Sequence, residues 1–285
     1  MTARPTPGGG AVSVYAEGLT WGEGPRWHDG ALWVSDTQGG RLWTDATGAW
    51  TATELSTPSN GLWFLPDGRL VGALMNEGRI GVWDGRDWET YADLGPLGAG
   101  PLGDLVGDAL GNLYVDDVGF AAARGEAVRP GRLILVRADG TAEVAAEDVE
   151  FPNGMALLDG GRTLVVAETS RQCLTAFRVR DDATLHDRRR YADIADLAGP
   201  DARPDGIWPA AEGVWAATTT GQSVVRVVDG AAADRIDTAP HYPIACCTTD
   251  DGDLLVTLAD TDGAPLMHAL AHKAVSTRVF RYHAP

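Results

Sequence analysis

Apolar residues along this chain seldom recur with the period of an amphipathic helix. They come instead in short runs rich in Val, Leu, Trp and Tyr, bounded by Gly, Asp and Pro, the pattern of β-strands separated by tight turns. One arrangement repeats: a glycine-containing turn, then such a run. It appears as DGALWVSD (Asp29–Asp36), DGRLVGAL (Asp67–Leu74) and LGNLYVDD (Leu110–Asp117). It returns as GGRTLVVAE (Gly160–Glu168), EGVWAATT (Glu212–Thr219) and DGDLLVTLAD (Asp251–Asp260). The turn glycines, Gly30, Gly68, Gly111, Gly161, Gly213 and Gly252, are spaced 38, 43, 50, 52 and 39 residues apart. A further strand-like run follows each: GGRLWTDATG, GRIGVWDG, GRLILVRADG, QCLTAFRVRDD, SVVRVVDG and STRVFRYH.

Six units of about 40–50 residues, each with several strands, predict an all-β chain folded as a six-bladed β-propeller. A lone four-stranded sheet cannot bury both faces, whereas sheets packed radially can, and the ring protects most strand edges. A β-sandwich accounts less well for six near-equal repeats. Residues 1–12 read as a flexible tail and residues 13–285 as one propeller domain. Innermost strands of a propeller surround a central channel, and the repeat strands are the candidates for them. The turns ahead of these strands then reach the channel mouth, so ring closure can gather polar groups from distant parts of the chain.

Three stretches ahead of the repeat strands carry an acid or amide beside Gly or Pro: GEGPRW with Glu23, FPNGMAL with Asn153 and RPDGIW with Asp205. They fall on blades one, four and five. Each has an ordinary reading too: Glu23 as an acceptor for turn amides, Asn153-Gly154 as a turn signal, Asp205 as the head of an Asx-turn. Asn60-Gly61 on blade two repeats the pattern, either lining the channel or as repeat structure only. Asp117, Thr169 and Thr219 end or follow repeat strands, where alternation sends some side chains into the channel and others into blade packing. His241, ahead of the last blade, reads as a substrate contact or as a solvated loop histidine. Arg188-Arg189-Arg190 reads as a solvated turn.

Composition narrows the partners. The net charge is −17 and Lys273 is the single lysine, a field that repels phosphate backbones and disfavours nucleic acid. No apolar run approaches the roughly 20 residues of a membrane span, and the first residues lack a signal-peptide type apolar segment. Cys246 and Cys247 are adjacent in a predicted strand and point to opposite faces, which argues against a disulfide framework involving Cys173. A cytoplasmic protein follows as the expectation, monomeric or weakly self-associating, with a small-molecule partner and neither nucleic acid nor membrane. Eight of the ten tryptophans fall within the first 88 residues and read mainly as blade packing.

The motifs taken together resemble the SMP-30/gluconolactonase/luciferin-regenerating-enzyme family. EGP with Trp27 two residues on, PNG before a strand, PDG before Ile207-Trp208 and the segment YPIACCTTDDGDLLVT carry the resemblance, which spans roughly Ala16 to Ala259. It implies one divalent metal in the central tunnel, with Glu23, Asn153 and Asp205 as ligands. Two carboxylates and an amide oxygen form a hard oxygen site suited to Ca²⁺ first, with Mg²⁺, Mn²⁺ or Zn²⁺ as alternatives. The family commonly has Asn-Asp on blade three. Gly103-Asp104 stands there in this chain, and Pro101 stands where sugar-lactone members carry an Arg. That departure leaves room for a bulkier or less polar substrate.

The resemblance implies a divalent-metal-dependent hydrolase of lactonase type acting on a small cyclic ester or related carbonyl compound. Asp205 is the implied catalytic base and Asp104 the second candidate. Asn60, Asp104, Asp117, Thr169, Thr219 and His241 are candidate substrate contacts. Two other readings stand beside it. One is a non-hydrolytic enzyme (isomerase, dehydratase or cyclase) on the same metal site. The other is a binding propeller without enzymatic activity.

Overall fold

The computed structural model describes residues 11–121 and 125–283. Its strands form six four-stranded antiparallel sheets, the blades of a six-bladed β-propeller. In blades one to five, four consecutive strands run outward from the axis. Blade one comprises Gly22–His28, Ala31–Asp36, Arg41–Thr44 and Thr51–Glu54. The remaining inner strands are Ser59–Phe64, Leu102–Gly107, Pro152–Leu158, Pro204–Pro209 and Tyr242–Thr248. Each touches the next around the ring, and the sixth touches the first. The ring is sealed by Val12–Leu19, which pairs with Ser276–Tyr282 as the outer strand of blade six. Val12 is already opposite Tyr282, so the tail expected over residues 1–12 gives way to propeller at Val12; residues 1–10 lie outside the described residues.

The six repeat strands are the second strand of each blade, not the innermost. Their turn glycines sit in or beside the connections that lead into them from the inner strands. The inner strands escaped the alternation signal because all six are irregular. Each shows a register shift after its first or second residue. A bulge of this kind bends a strand and re-aims its side chains. The third residue is often glycine because inner strands pass unusually close. A Cβ on Gly154 would lie 2.3 Å from the Ile207 nitrogen, and one on Gly206 would lie 2.4 Å from the Ala245 Cβ.

Second and third strands are filled with Val, Leu, Ile and Ala that pack between neighbouring blades. Val165, Leu174 and Ala176 of blade four meet Ile207, Val214 and Val225 of blade five, all at or near zero exposure. Cys246 and Cys247 are buried free thiols, as small core residues would be. The Arg188–Arg190 run lies on the exposed outer strand Leu185–Asp193 rather than in a turn. Among the described residues no helix is long and apolar enough to cross a membrane.

The axis is not open from end to end. Trp63 and Trp208, on inner strands from opposite sides of the ring, meet with ring centroids 6.2 Å apart. The Arg26 guanidinium lies over both, 5.5 and 5.2 Å from their centres. Arg26 is 3% exposed and pairs with Asp104 at 2.9 Å. A cation between two indoles replaces part of the hydration it loses. The expected central tunnel is thus a recess closed by an arginine–tryptophan plug.

Candidate active site

Register aligns the six inner strands, and their second residues are Glu23, Asn60, Gly103, Asn153, Asp205 and Pro243. The first five line one cavity of about 410 Å³ at the end of the axis where these strands begin. Ring closure therefore brings together Glu23, Asn153 and Asp205, and with them Asn60, whose dipeptide repeats their pattern on blade two. These residues lie on the inner strands themselves rather than on preceding turns.

Each polar side chain is oriented by a neighbour. The Trp21 indole donates to Glu23 Oε1 at 2.8 Å. The Thr219 hydroxyl donates to Asp205 Oδ2 at 2.8 Å. Asn153 Oδ1 accepts from the Gly154 amide at 2.9 Å, while its amide nitrogen faces Thr169 Oγ1 and Asp205. Thr169 in turn donates to the Pro204 carbonyl, tying blade four to blade five. Asp205 Oδ1 is buried with no hydrogen-bond partner. A buried carboxylate oxygen without a donor is costly unless a ligand or ion completes it.

Burial disfavours the charged form of these acids. It raises Glu23 well above the ordinary carboxylate range, and the nearby Asp205 adds to the rise. It pushes Asp205 up to about 6, against the Thr219 hydrogen bond and the nearby Asn153 amide, both of which favour the anion. Asp116, fully buried on the second strand of blade three, is raised well above its usual value by burial, although the Gly103 and Asp104 amides both donate to it. Among the described residues no three His, Cys, Asp or Glu side chains converge as a metal cluster; the site has two carboxylates completed by amide and hydroxyl oxygens.

Of the expected substrate contacts, Asn60, Thr169 and Thr219 line the recess. Asp104 does not line it: its Oδ1 accepts from Arg26 and from the Leu105 amide. Asp117 is 1% exposed and turned away, accepting from the Gly100 and Gly119 amides and from Arg132. Its counterparts Asp36 and Glu168 do the same work, accepting from the Thr20 and Glu150 amides. These acids clamp the loop that delivers each inner strand, a structural duty that places Asp117 outside the site. His241 is not part of the recess either. It is half-buried beside Asp260 and Arg278, with its ring 5.8 Å from that of Phe280.

Several lining residues had no sequence signal. Phe120, Phe151 and Val118 arrive on loops, and Leu266 and Leu270 on the short helix Leu266–Ala271. Trp21 does carry one, since an indole just ahead of the strand and two residues before an acid is a ready donor.

The architecture defines a six-bladed propeller with an acid-and-amide recess at one end of a plugged axis. The chain belongs to the SMP-30/gluconolactonase/LRE-like family, whose description covers residues 21–260. Among solved structures it is similar to a luciferin-regenerating enzyme (20% identity, TM-score 0.78, covering 96% of this chain and 95% of that one). It is also similar to a gluconolactonase from Xanthomonas campestris (20%, TM-score 0.75, covering 97% and 91%). A third is a calcium-binding protein, regucalcin, from Agrobacterium tumefaciens (19%, TM-score 0.75, covering 95% and 96%).

Proposed function

We propose that this chain is a lactonase-type hydrolase that opens a small cyclic ester at the recess, with a divalent cation held by Glu23, Asn153 and Asp205. The observation that carries the reading is the buried, unpartnered Asp205 Oδ1 beside Glu23 and Asn153. Family membership supports the lactonase class, and the name of the regucalcin relative supports calcium ahead of Mg²⁺, Mn²⁺ or Zn²⁺. The donor set fits a hard cation: two carboxylates, and an amide whose end-for-end turn is nearly isosteric and presents its oxygen. When bound, such a cation supplies a Lewis acid for the ester carbonyl.

The residues divide the remaining work. Trp21 fixes one Glu23 oxygen, and Thr219 fixes Asp205 Oδ2 so that Oδ1 is left for ligand or water. Burial holds Asp205 at about 6, and a bound cation would lower it, so that the carboxylate stands ionised and ready to accept a proton near neutrality. Asp205 takes the proton of the attacking water and returns it to the alcohol oxygen as the ring opens. Asn60 and Thr169 on the wall are placed to orient the ester. The partner is a small molecule, and the chain acts as a monomer or weak oligomer in the cytoplasm.

Asp205→Asn retains size and the Thr219 contact but removes the base. Lactone hydrolysis should fall by about 10²–10⁴-fold with an unchanged circular dichroism spectrum. Activity within a few-fold of the unaltered protein would refute the assignment.

A further inference from the structure

We infer that the recess selects an uncharged lactone or ester bearing an alkyl or aryl group, and that Phe120, Phe151 and Leu270 hold that group. The inference rests on the hydrolase reading and names the substrate class.

Polar groups are confined mainly to the floor. On the blade-three side the ring of second residues is interrupted by Gly103. A Cβ there would lie 2.5–2.6 Å from the Asp116 carboxylate oxygens, and Asp116 fixes that backbone through the Gly103 and Asp104 amides. The missing side chain is therefore a built-in feature of this blade, and the wall beyond it is apolar: Leu102, Val118 and Phe120. Phe151 adopts φ 51°, a left-handed conformation that is strained for a bulky residue and that clusters at functional sites. Its ring meets Phe120 edge to face at 5.7 Å and 71°. The helix Leu266–Ala271 adds Leu266 and Leu270, with Met267 74% exposed at the mouth.

Polyhydroxylated rings carry a hydroxyl on almost every carbon. Against these walls most hydroxyls would lose water and find no partner, a desolvation cost that alkyl or aryl groups do not carry. Charge points the same way. Glu23 and Asp205 offset one divalent cation, leaving no surplus positive charge at the floor. Among the described residues the only cationic lining residue is Arg203, exposed at the rim. Among the described lining residues a carboxylate-bearing substrate has no buried cation to meet.

The test compares two series on the purified full chain loaded with calcium. One is five-membered lactones carrying alkyl chains of increasing length or a phenyl group; the other is gluconolactone. Each is measured by hydrolysis rate, and its non-hydrolysed lactam by calorimetric binding. Lactam affinity should rise about fourfold per methylene until the wall is covered. Gluconolactam should bind at least about 100-fold more weakly than the phenyl compound, and Leu270→Gln should shrink the gain per methylene. Equal or tighter binding of the sugar analogue, no dependence on chain length, or no binding of either series overturns the inference. Chain-length-dependent lactam binding with no lactone hydrolysed supports the substrate class and overturns the hydrolase reading. Hydrolysis that favours gluconolactone does the reverse.

Discussion

Arg26, 3% exposed on the inner strand of blade one, fills the propeller axis. Its guanidinium donates to Asp104, the Leu105 carbonyl and the Pro25 carbonyl, and lies over two indoles. Removing one partner from a buried pair leaves the other charge uncompensated, at a cost of about 3–5 kcal/mol. Arg26→Met should therefore destabilise the protein by that amount, read as a lower urea midpoint. Replacing Asp104 by Asn at the same time should recover part of it. If Arg26→Met costs under about 1 kcal/mol, the plug is not a structural element. Asp104 thus belongs with Arg26 as a support beneath the recess. Its nearness still matters electrostatically, since its charge adds to the rise at both Glu23 and Asp205.

Inner strands are the elements on which fold and site depend together. Their second residue faces the recess and their third faces the next blade, so polar-then-glycine recurs as Glu23-Gly24, Asn60-Gly61, Asn153-Gly154 and Asp205-Gly206. Gly154→Ala would drive a methyl into the Ile207 amide at 2.3 Å, where only backbone could yield. A loss of roughly 3 kcal/mol or more is expected in urea unfolding. Gly68→Ala, in an open turn with φ 84°, should cost only about 1–2 kcal/mol; equal losses at the two positions would refute the close-approach account. The same dipeptides explain what could be read in advance. Regular hairpins around Gly30 or Gly213 announce the blade count, and the Glu-Gly, Asn-Gly and Asp-Gly pairs mark four residues of the floor. Bulged inner strands carry no clean alternation, so the pattern reads as turns there and assigns the channel wall to the neighbouring strands. That shift of one strand is why Asp117 was expected in the site. The walls were not legible at all, because Phe120, Phe151 and Leu270 come from connections whose position depends on the whole ring.

At the scale of the molecule, the recess concentrates acids that folding makes reluctant to ionise. Burial raises Glu23, Asp116 and Asp205 in the folded chain. The folded state then binds more protons than the unfolded one from about pH 4, the usual carboxylate range, up to about 6 for Asp205, with Glu23 and Asp116 displaced in the same direction. Stability from these groups is present at the acidic end and is lost as pH rises through that window. Carboxylates held low, such as Glu168, titrate below it. In chelator, the thermal midpoint should be higher near pH 5 than near pH 7.5, and calcium should lessen the difference. A midpoint that climbs over the same interval would contradict the assignment. The most direct test of the account is the rate at which the purified protein hydrolyses phenyl-substituted lactone before chelation, after chelation and after calcium is restored. Hydrolysis that is lost on chelation, returns with calcium and is absent from Asp205→Asn is the predicted result. Hydrolysis indifferent to chelation, or none under any of the three conditions, would contradict a cation-assisted lactonase at this recess.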